Sequence, residues 1–214
     1  MERINGRYMK DLLNYVADAV IASKDYLTEL DSKIGDGDHG LGMERGMLSA
    51  KEALASMSDH ENIYLYFSAV GQAMLMKMGG ASGVIFSSMF SGAAKNHAPA
   101  QELTPPAFAQ AMVAGLAAVK MRGKASVGDK TMVDALEPAC NAMLANCSGS
   151  FETMLREAAE AAKEGAASTA EYQAKFGRAK SLMERAKGHM DSGAVSTAIM
   201  FRAMSSYVTN HPVL

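Results

Sequence analysis

The 214-residue chain sets 21 Lys and Arg against 23 Asp and Glu, a formal net charge of −2 with no basic patch. So weak and mixed a field draws neither nucleic acid nor an anionic membrane, and no apolar run reaches the roughly 18 residues needed to span a bilayer. The length suits a single domain over residues 1–214, burying roughly 70% of its unfolded surface, and the N-terminus lacks the layout of a signal peptide, so a cytoplasmic location is expected.

Helical spacing then recurs along the chain. Met9, Leu12, Leu13, Val16 and Val20 predict a first helix that ends at Lys24-Asp25, and a second is expected over about 41–55. A third, about 63–77, carries Leu65, Met74, Leu75 and Met78 and stops at Gly79-Gly80. Ala81-Ser82-Gly83 opens a fourth, bodied by Val84, Phe86, Met89 and Phe90. Thr104 as a capping hydroxyl and Pro105 at the first helical position start a fifth, striped by Phe108, Met112, Leu116 and Val119. After an interruption at 122–131, a sixth carries Val133, Leu136, Cys140, Met143 and Cys147, and Pro138 either kinks it or delays its start. A seventh shows Phe151, Met154, Leu155, Ala158 and Ala162, residues 177–193 are polar and glycine-punctuated, and an eighth runs over about 192–208.

The pattern is all-α, with about eight helices. Its 18 methionines suggest a pliable core, and the run Met74-Leu75-Met76-Lys77-Met78 reads as packing. Cys140 and Cys147 lie seven apart on one predicted helix, about 10 Å by helical rise, too far for a disulfide.

Residues 31–42 carry the most chemistry. Asp31, Asp36, Asp38 and His39 are interleaved with Gly35, Gly37, Gly40 and Gly42, a composition that disfavours helix and reads as a loop. Carboxylates this close repel one another unless a cation joins them, and hard divalent ions take such oxygen ligands. The bland alternative is a simple turn, since Gly and Asp are ordinary turn residues. Gly35-Asp-Gly37-Asp-His-Gly40 also spells a dinucleotide fingerprint, but no strand precedes it and its aspartates would repel a bare pyrophosphate. An EF-hand counted from Asp36 fails, because Met47 stands where the bidentate Glu belongs. Gly123-x4-Gly128-Asp-Lys130-Thr131 falls short of a P-loop through the extra Asp129 and a preceding helix.

The polar glycine-bearing interruptions at 36–42, 79–83, 123–131 and 188–193 each precede a predicted helix. If antiparallel helices alternate, those helices all start at one end, and their free amides and positive dipole ends gather into an anion site at one rim. Lys130, Arg178 and Ser82 beside the aspartates suit a nucleotide phosphate bridged by magnesium.

Taken together, Asp31-x4-Asp36-Gly-Asp38-His-Gly, Gly79-Gly-Ala-Ser-Gly83, Gly128-Asp-Lys-Thr-Met132 with Asp134, and Gly177-Arg-Ala followed by His189-x-Asp191-x-Gly193-Ala resemble the nucleotide-binding L subunit of dihydroxyacetone kinase, the DhaL family. The resemblance spans nearly the whole chain. It implies an antiparallel helical barrel with ADP or ATP and two magnesium ions at one rim, and a separate K subunit holding dihydroxyacetone. By motif, Asp31, Asp36 and Asp38 would ligate magnesium. His39, Gly40, Leu41 and Gly42 would line the nucleotide mainly through backbone, and Ala81 and Ser82 would meet its phosphates. Gly123, Met132, Arg178, Asp191, Ser192 and Gly193 would border the rest. No residue of this chain is expected to form a covalent intermediate.

The chain departs from the family pattern at Ser192, where proline is usual, and over Val84-Ile-Phe-Ser-Ser88. Two readings follow from different classes. One is a kinase subunit, recharged at bound ADP by a phosphotransferase-system protein or using ATP directly, on dihydroxyacetone or a similar short ketose. The other is a non-catalytic module that reports ADP against ATP to a partner. A metal-free structural bundle is the third, and it predicts no effect of Asp36→Asn on nucleotide affinity.

Overall fold

In the computed structural model, which describes residues 1–58 and 62–213, nine α-helices form among the described residues. They are α1 (Gly6–Ala22), α2 (Lys24–Ile34), α3 (His39–Ala55), α4 (Tyr64–Lys77), α5 (Gly80–Ala93), α6 (Pro105–Gly123), α7 (Val133–Asn146), α8 (Phe151–Ser168) and α9 (Ser192–Asn210). Two-residue strands β1 (Ile4–Asn5) and β2 (Glu102–Leu103) pair antiparallel, Ile4 opposite Leu103.

Eight of the helices close a ring. Helix α1 packs on α3, and α3 through α9 each pack on the next until α9 returns to α1. One continuous apolar core fills the ring, with Tyr66, Phe67, Phe86, Phe108, Phe151 and Phe201 among its largest buried side chains. No helix among the described residues is long and apolar enough to cross a membrane.

Helix α2 stands outside the ring, against α3, α9 and part of the α8–α9 connector, and it corrects two expectations. The first helix does not run on to Lys24-Asp25. It ends at Ala22, and Ser23 links it to a separate α2 that buries Leu27, Leu30 and Ile34. Residues 31–42 are mostly helical rather than loop, with Asp31 in the last turn of α2 and His39 opening α3, so only 35–38 lie between helices. The 3.6-residue apolar spacing of α2 outweighs the local cost of its polar last turn.

Other boundaries follow local chemistry. Asn5, Thr104, Ser150 and Asp191 cap α1, α6, α8 and α9, each side chain accepting a backbone N–H of the first turn. Helix α7 starts at Val133 with Pro138 inside it, so the delayed start does not occur. Between α8 and α9 the connector forms 3-10 turns at Thr169–Glu171 and Arg178–Ala186. It packs a small apolar cluster, Ala174, Ala179 and Ala186, on Ile34 of α2.

Candidate functional site

Helices α3, α5, α7 and α9 alternate with return helices around the ring, and their N-termini meet at one rim around a cleft of about 480 Å³. The extra helix α2 leaves that alternation intact, because it lies outside the ring. Asp31, Asp36, Asp38, His39 and Gly42 line the cleft from the first loop, and Ala81 and Ser82 from the second. Gly123 and Met132 line it from the third, and Arg178, Asp191, Ser192 and Gly193 from the fourth. Gly40 and Leu41 do not. A Cβ on Gly40 would stand 2.2 Å from the Lys24 carbonyl and the Thr28 hydroxyl, so this glycine lets α3 press against α2. The Leu41 side chain is 44% exposed, outside the cleft lining.

One carboxylate oxygen from each of Asp31, Asp36 and Asp38 falls within 4.8 Å of the others, an all-oxygen donor set suited to a hard divalent cation. Asp31 Oδ2 accepts the backbone N–H of Gly37 at 2.9 Å and of His39 at 3.4 Å, and Oδ1 accepts the Ser192 hydroxyl at 3.0 Å. Asp36 pairs across the cleft with Arg178 at 2.8 Å, a contact that stays open to water because the Arg178 side chain is 71% exposed.

The second loop turns through Gly79 and Gly80 at φ +78° and +62°, conformations glycine adopts without Cβ strain. This turn brings the α5 N-terminus to the cleft directly beneath the C-terminus of α4. Arg45 lines the same wall and donates to the Met78 carbonyl at 3.2 Å, placing a cation at the negative end of α4.

In the third loop, Asp134 accepts the Gly128 N–H at 2.5 Å and the Thr131 N–H at 2.6 Å, fixing the turn that precedes α7. Burial pushes the Asp134 carboxyl up against those bonds. Lys130 is 1% exposed at φ +61°, and its ammonium donates to the carbonyls of Thr169 and His189. Those two carbonyls lie at the two ends of the α8–α9 connector. Burial draws the Lys130 ammonium down, opposed by Asp191, Asp134 and Glu171.

The fourth loop closes on α9. Asp191 caps the helix through Ala194 N–H at 2.8 Å, and its own N–H donates to the Thr169 hydroxyl at 2.9 Å. Burial raises the Asp191 carboxyl from 3.8 to about 7. His39 lies beneath, its Nε2 2.8 Å from the Ser196 hydroxyl and its ring 5.9 Å from that of Phe86. Burial lowers the His39 imidazole below its ordinary value, opposed by Asp31, Asp38 and a hydrogen bond to the Ser192 backbone.

Several cleft residues escape inference from separate motifs. Arg45 lines the cleft from the second turn of α3, and Ser196 lies buried one turn into α9, both beyond the helix starts that carry the motif signals. Phe176 lines the cleft from the connector, where no periodicity singles it out. Thr131 lines the cleft with no role assigned from the sequence, and Lys130, expected beside a nucleotide phosphate, instead directs its buried ammonium to the Thr169 and His189 carbonyls.

Comparison with known proteins gives a consistent result. A DAK2 domain is matched over residues 33–206. The chain is 36% identical over 195 residues to the ADP-binding subunit DhaL of the PEP-dependent dihydroxyacetone kinase of Escherichia coli K12, covering 90% of this chain and 92% of that protein. It is 35% identical over 192 residues to the ADP-binding subunit DhaL of PEP-dependent dihydroxyacetone kinase 1 of Listeria innocua, covering 90% and 91%. Among solved structures, the dihydroxyacetone kinase from C. freundii in complex with AMP-PNP and Mg2+ superposes with a TM-score of 0.75 at 27% identity, over 96% of this chain. This chain spans only 34% of that kinase. On the matched domain and the near full-length likeness to these subunits, the chain belongs to the DhaL family, the DAK2-domain ADP-binding subunits of dihydroxyacetone kinase.

Proposed function

We propose that residues 1–214 act as one nucleotide-binding domain, which holds ADP or ATP with magnesium in the rim cleft and passes a phosphoryl group to dihydroxyacetone held by a separate K subunit. The observation that carries this reading is the convergence of four helix N-termini and the Asp31–Asp36–Asp38 donor set on one cleft. The amides supply donors for phosphate oxygens, and the carboxylates supply ligands for the cation those phosphates need.

Asp31, Asp36 and Asp38 would hold the magnesium, two ions in this reading. Bound there, magnesium supplies charge neutralisation between carboxylates and phosphates. The remaining tasks fall to the chain itself. The backbone at His39 and Gly42 and the N-terminal turn at Ala81 and Ser82 receive phosphate oxygens. Gly123, Met132, Asp191, Ser192 and Gly193 bound the rest of the nucleotide, and Arg178 adds a guanidinium from the connector. Transfer then rests on positioning and electrostatics, with no covalent intermediate on this chain.

The acceptor has to reach the cleft from outside. Phe176 lines the cleft and is exposed, and Leu41, Met121, Val127 and Met183 are exposed on the segments that supply the cleft's loops, apolar surface fit for a partner to cover. The K subunit would dock there to deliver the ketose, and a phosphotransferase-system protein would dock in turn to rephosphorylate bound ADP. The PEP-dependent names of the relatives support that donor.

Native mass spectrometry of the purified chain, with and without a chelator, tests the reading. Retained ADP with magnesium that leaves on chelation is the expected result. Absence of nucleotide binding even at saturating magnesium would overturn it.

A further inference from the structure

Ser192 begins α9 directly above the carboxylate cluster, and its hydroxyl donates to Asp31 Oδ1 at 3.0 Å. This contact joins elements 161 residues apart in sequence. Ser192 is itself fixed from behind. The Ser196 hydroxyl donates to the Ser192 carbonyl at 2.9 Å, so its single proton is committed there, and the Ser196 oxygen must accept from His39 Nε2. His39 is therefore the Nε2–H tautomer, assigned from the network, and the order runs from His39 through Ser196 to the Ser192 backbone. All three side chains are at most 7% exposed, so water does not compete for these bonds.

The consequence lies at Asp31. Its Oδ2 is occupied by two backbone N–H groups of the following loop, which leaves Oδ1 as the oxygen oriented by a side chain alone. A Cβ on Gly35 would approach that same oxygen to 2.7 Å, so the loop crowds it on one side while Ser192 holds it on the other. Asp36 and Asp38 are exposed, and the Arg178 guanidinium that meets Asp36 is itself open to water. Asp31 is thus a member of the donor set whose direction is set by a buried hydroxyl and two backbone N–H groups before any cation arrives.

We infer that Ser192 is a positioning residue for the metal site, orienting the Asp31 carboxylate through its hydroxyl, with His39 and Ser196 holding Ser192 in register. This inference rests on the metal and nucleotide reading above. Hydrogen-bonding partners of metal ligands typically contribute 10–100-fold to metal affinity, because the free ligand otherwise samples unproductive directions.

The test uses the full chain with Mn2+ as a spectroscopic substitute for Mg2+, measuring free Mn2+ by electron paramagnetic resonance in the presence of ADP. Ser192→Ala should raise the Mn2+ dissociation constant about tenfold, and Ser192→Thr, which keeps the hydroxyl, should stay within about twofold of wild type. All three proteins should keep cooperative thermal unfolding in EDTA, so that a loss of Mn2+ affinity reports the site and not the fold. Wild-type Mn2+ affinity in Ser192→Ala would overturn the assignment while leaving the nucleotide site intact. An equal loss in Ser192→Thr would also overturn it, by showing that the hydroxyl is not what orients the carboxylate. Failure of the wild-type chain to bind Mn2+ at all would overturn the underlying reading and this inference with it.

Discussion

Asp191 spends one carboxylate oxygen on the α9 cap, yet burial raises its pKa from 3.8 to about 7, with Asp134 and Asp31 adding to the rise and Lys130 opposing it. The folded protein therefore holds this proton more tightly than the unfolded chain does. The stability it contributes is complete below about pH 4 and is lost as pH climbs through about 7. Asp191→Asn keeps a capping oxygen without the charge. In metal-free protein its stability relative to wild type should improve from pH 4 to pH 8, by up to about 1.4 kcal/mol per pH unit between the two pKa values. Urea unfolding in EDTA at several pH values checks this, and parallel curves would refute it. Asp36 presents the opposite case. Its ion pair with Arg178 is open to water and worth little to folding. Asp36→Asn should leave unfolding nearly unchanged, while weakening magnesium–ADP binding, by calorimetry, at least as much as the roughly 10–100-fold cost of losing an outer partner. The two cysteines separate in the same way. Burial pushes the Cys140 thiol up to about 12, whereas Cys147 is half-buried at the end of α7, so a disulfide reagent at pH 8 should titrate one thiol in the native protein and two after unfolding. That the pair is unbridged was legible from helical spacing; which thiol reacts depends on packing that spacing does not encode.

The helices themselves were mostly legible, and the reasons for the misses differ. Thr104 and Pro105 announce α6 because cap chemistry is local. Helix α2 was hidden because its last turn carries Asp31 beside a Gly/Asp-rich stretch, and composition over that window outweighed the spacing of Leu27, Leu30 and Ile34. The run from Met74 to Met78 was read as core, and Met74 and Met78 are buried, but Met76 is 77% exposed. The 3.6-residue turn of a helix places neighbours on different faces, so one run cannot have one fate. The α8–α9 connector is the element least visible in the sequence, since its anchors are distant: Ile34 beneath it, and Lys130 bonding both of its ends. Lys130→Met would leave the Thr169 and His189 carbonyls without that donor, at a cost of about 1–3 kcal/mol for a buried unsatisfied group. Cleavage within residues 169–190 should then appear at protease levels that spare wild type, and ADP should dissociate faster in stopped-flow release. Unchanged proteolysis would show that the apolar cluster on Ile34 and the Arg178–Asp36 and Lys175–Asp129 pairs hold the connector without Lys130.

Ring closure is the property no single element carries. Each helix contributes one face to a shared core, and the four N-termini that face the cleft do so only because return helices alternate between them. That alternation was inferable from the order of glycine-bearing interruptions, but the closing contact between α1 and α9 was not, because it joins the two ends of the sequence. Cleft and ring are mechanically one object: Ser192 and Asp191 begin the same helix that closes on α1, and Met132 and Phe86 are at once cleft wall and core. A ligand gripping several loops at the rim therefore binds the closed ring and not the opened chain, and its binding energy adds to the cooperative stability of the whole. At 100 times its dissociation constant, magnesium–ADP should add about 2.7 kcal/mol. For a chain of this length each kcal/mol moves the unfolding midpoint by about 2–4 °C, so a rise of roughly 5–10 °C is expected in a calorimetric scan. A chelator should return the midpoint to that of the ligand-free protein, because the carboxylates and phosphates then face one another without a cation. A scan that splits into two transitions, with only one moved by magnesium–ADP, would show instead that the rim unfolds apart from the ring.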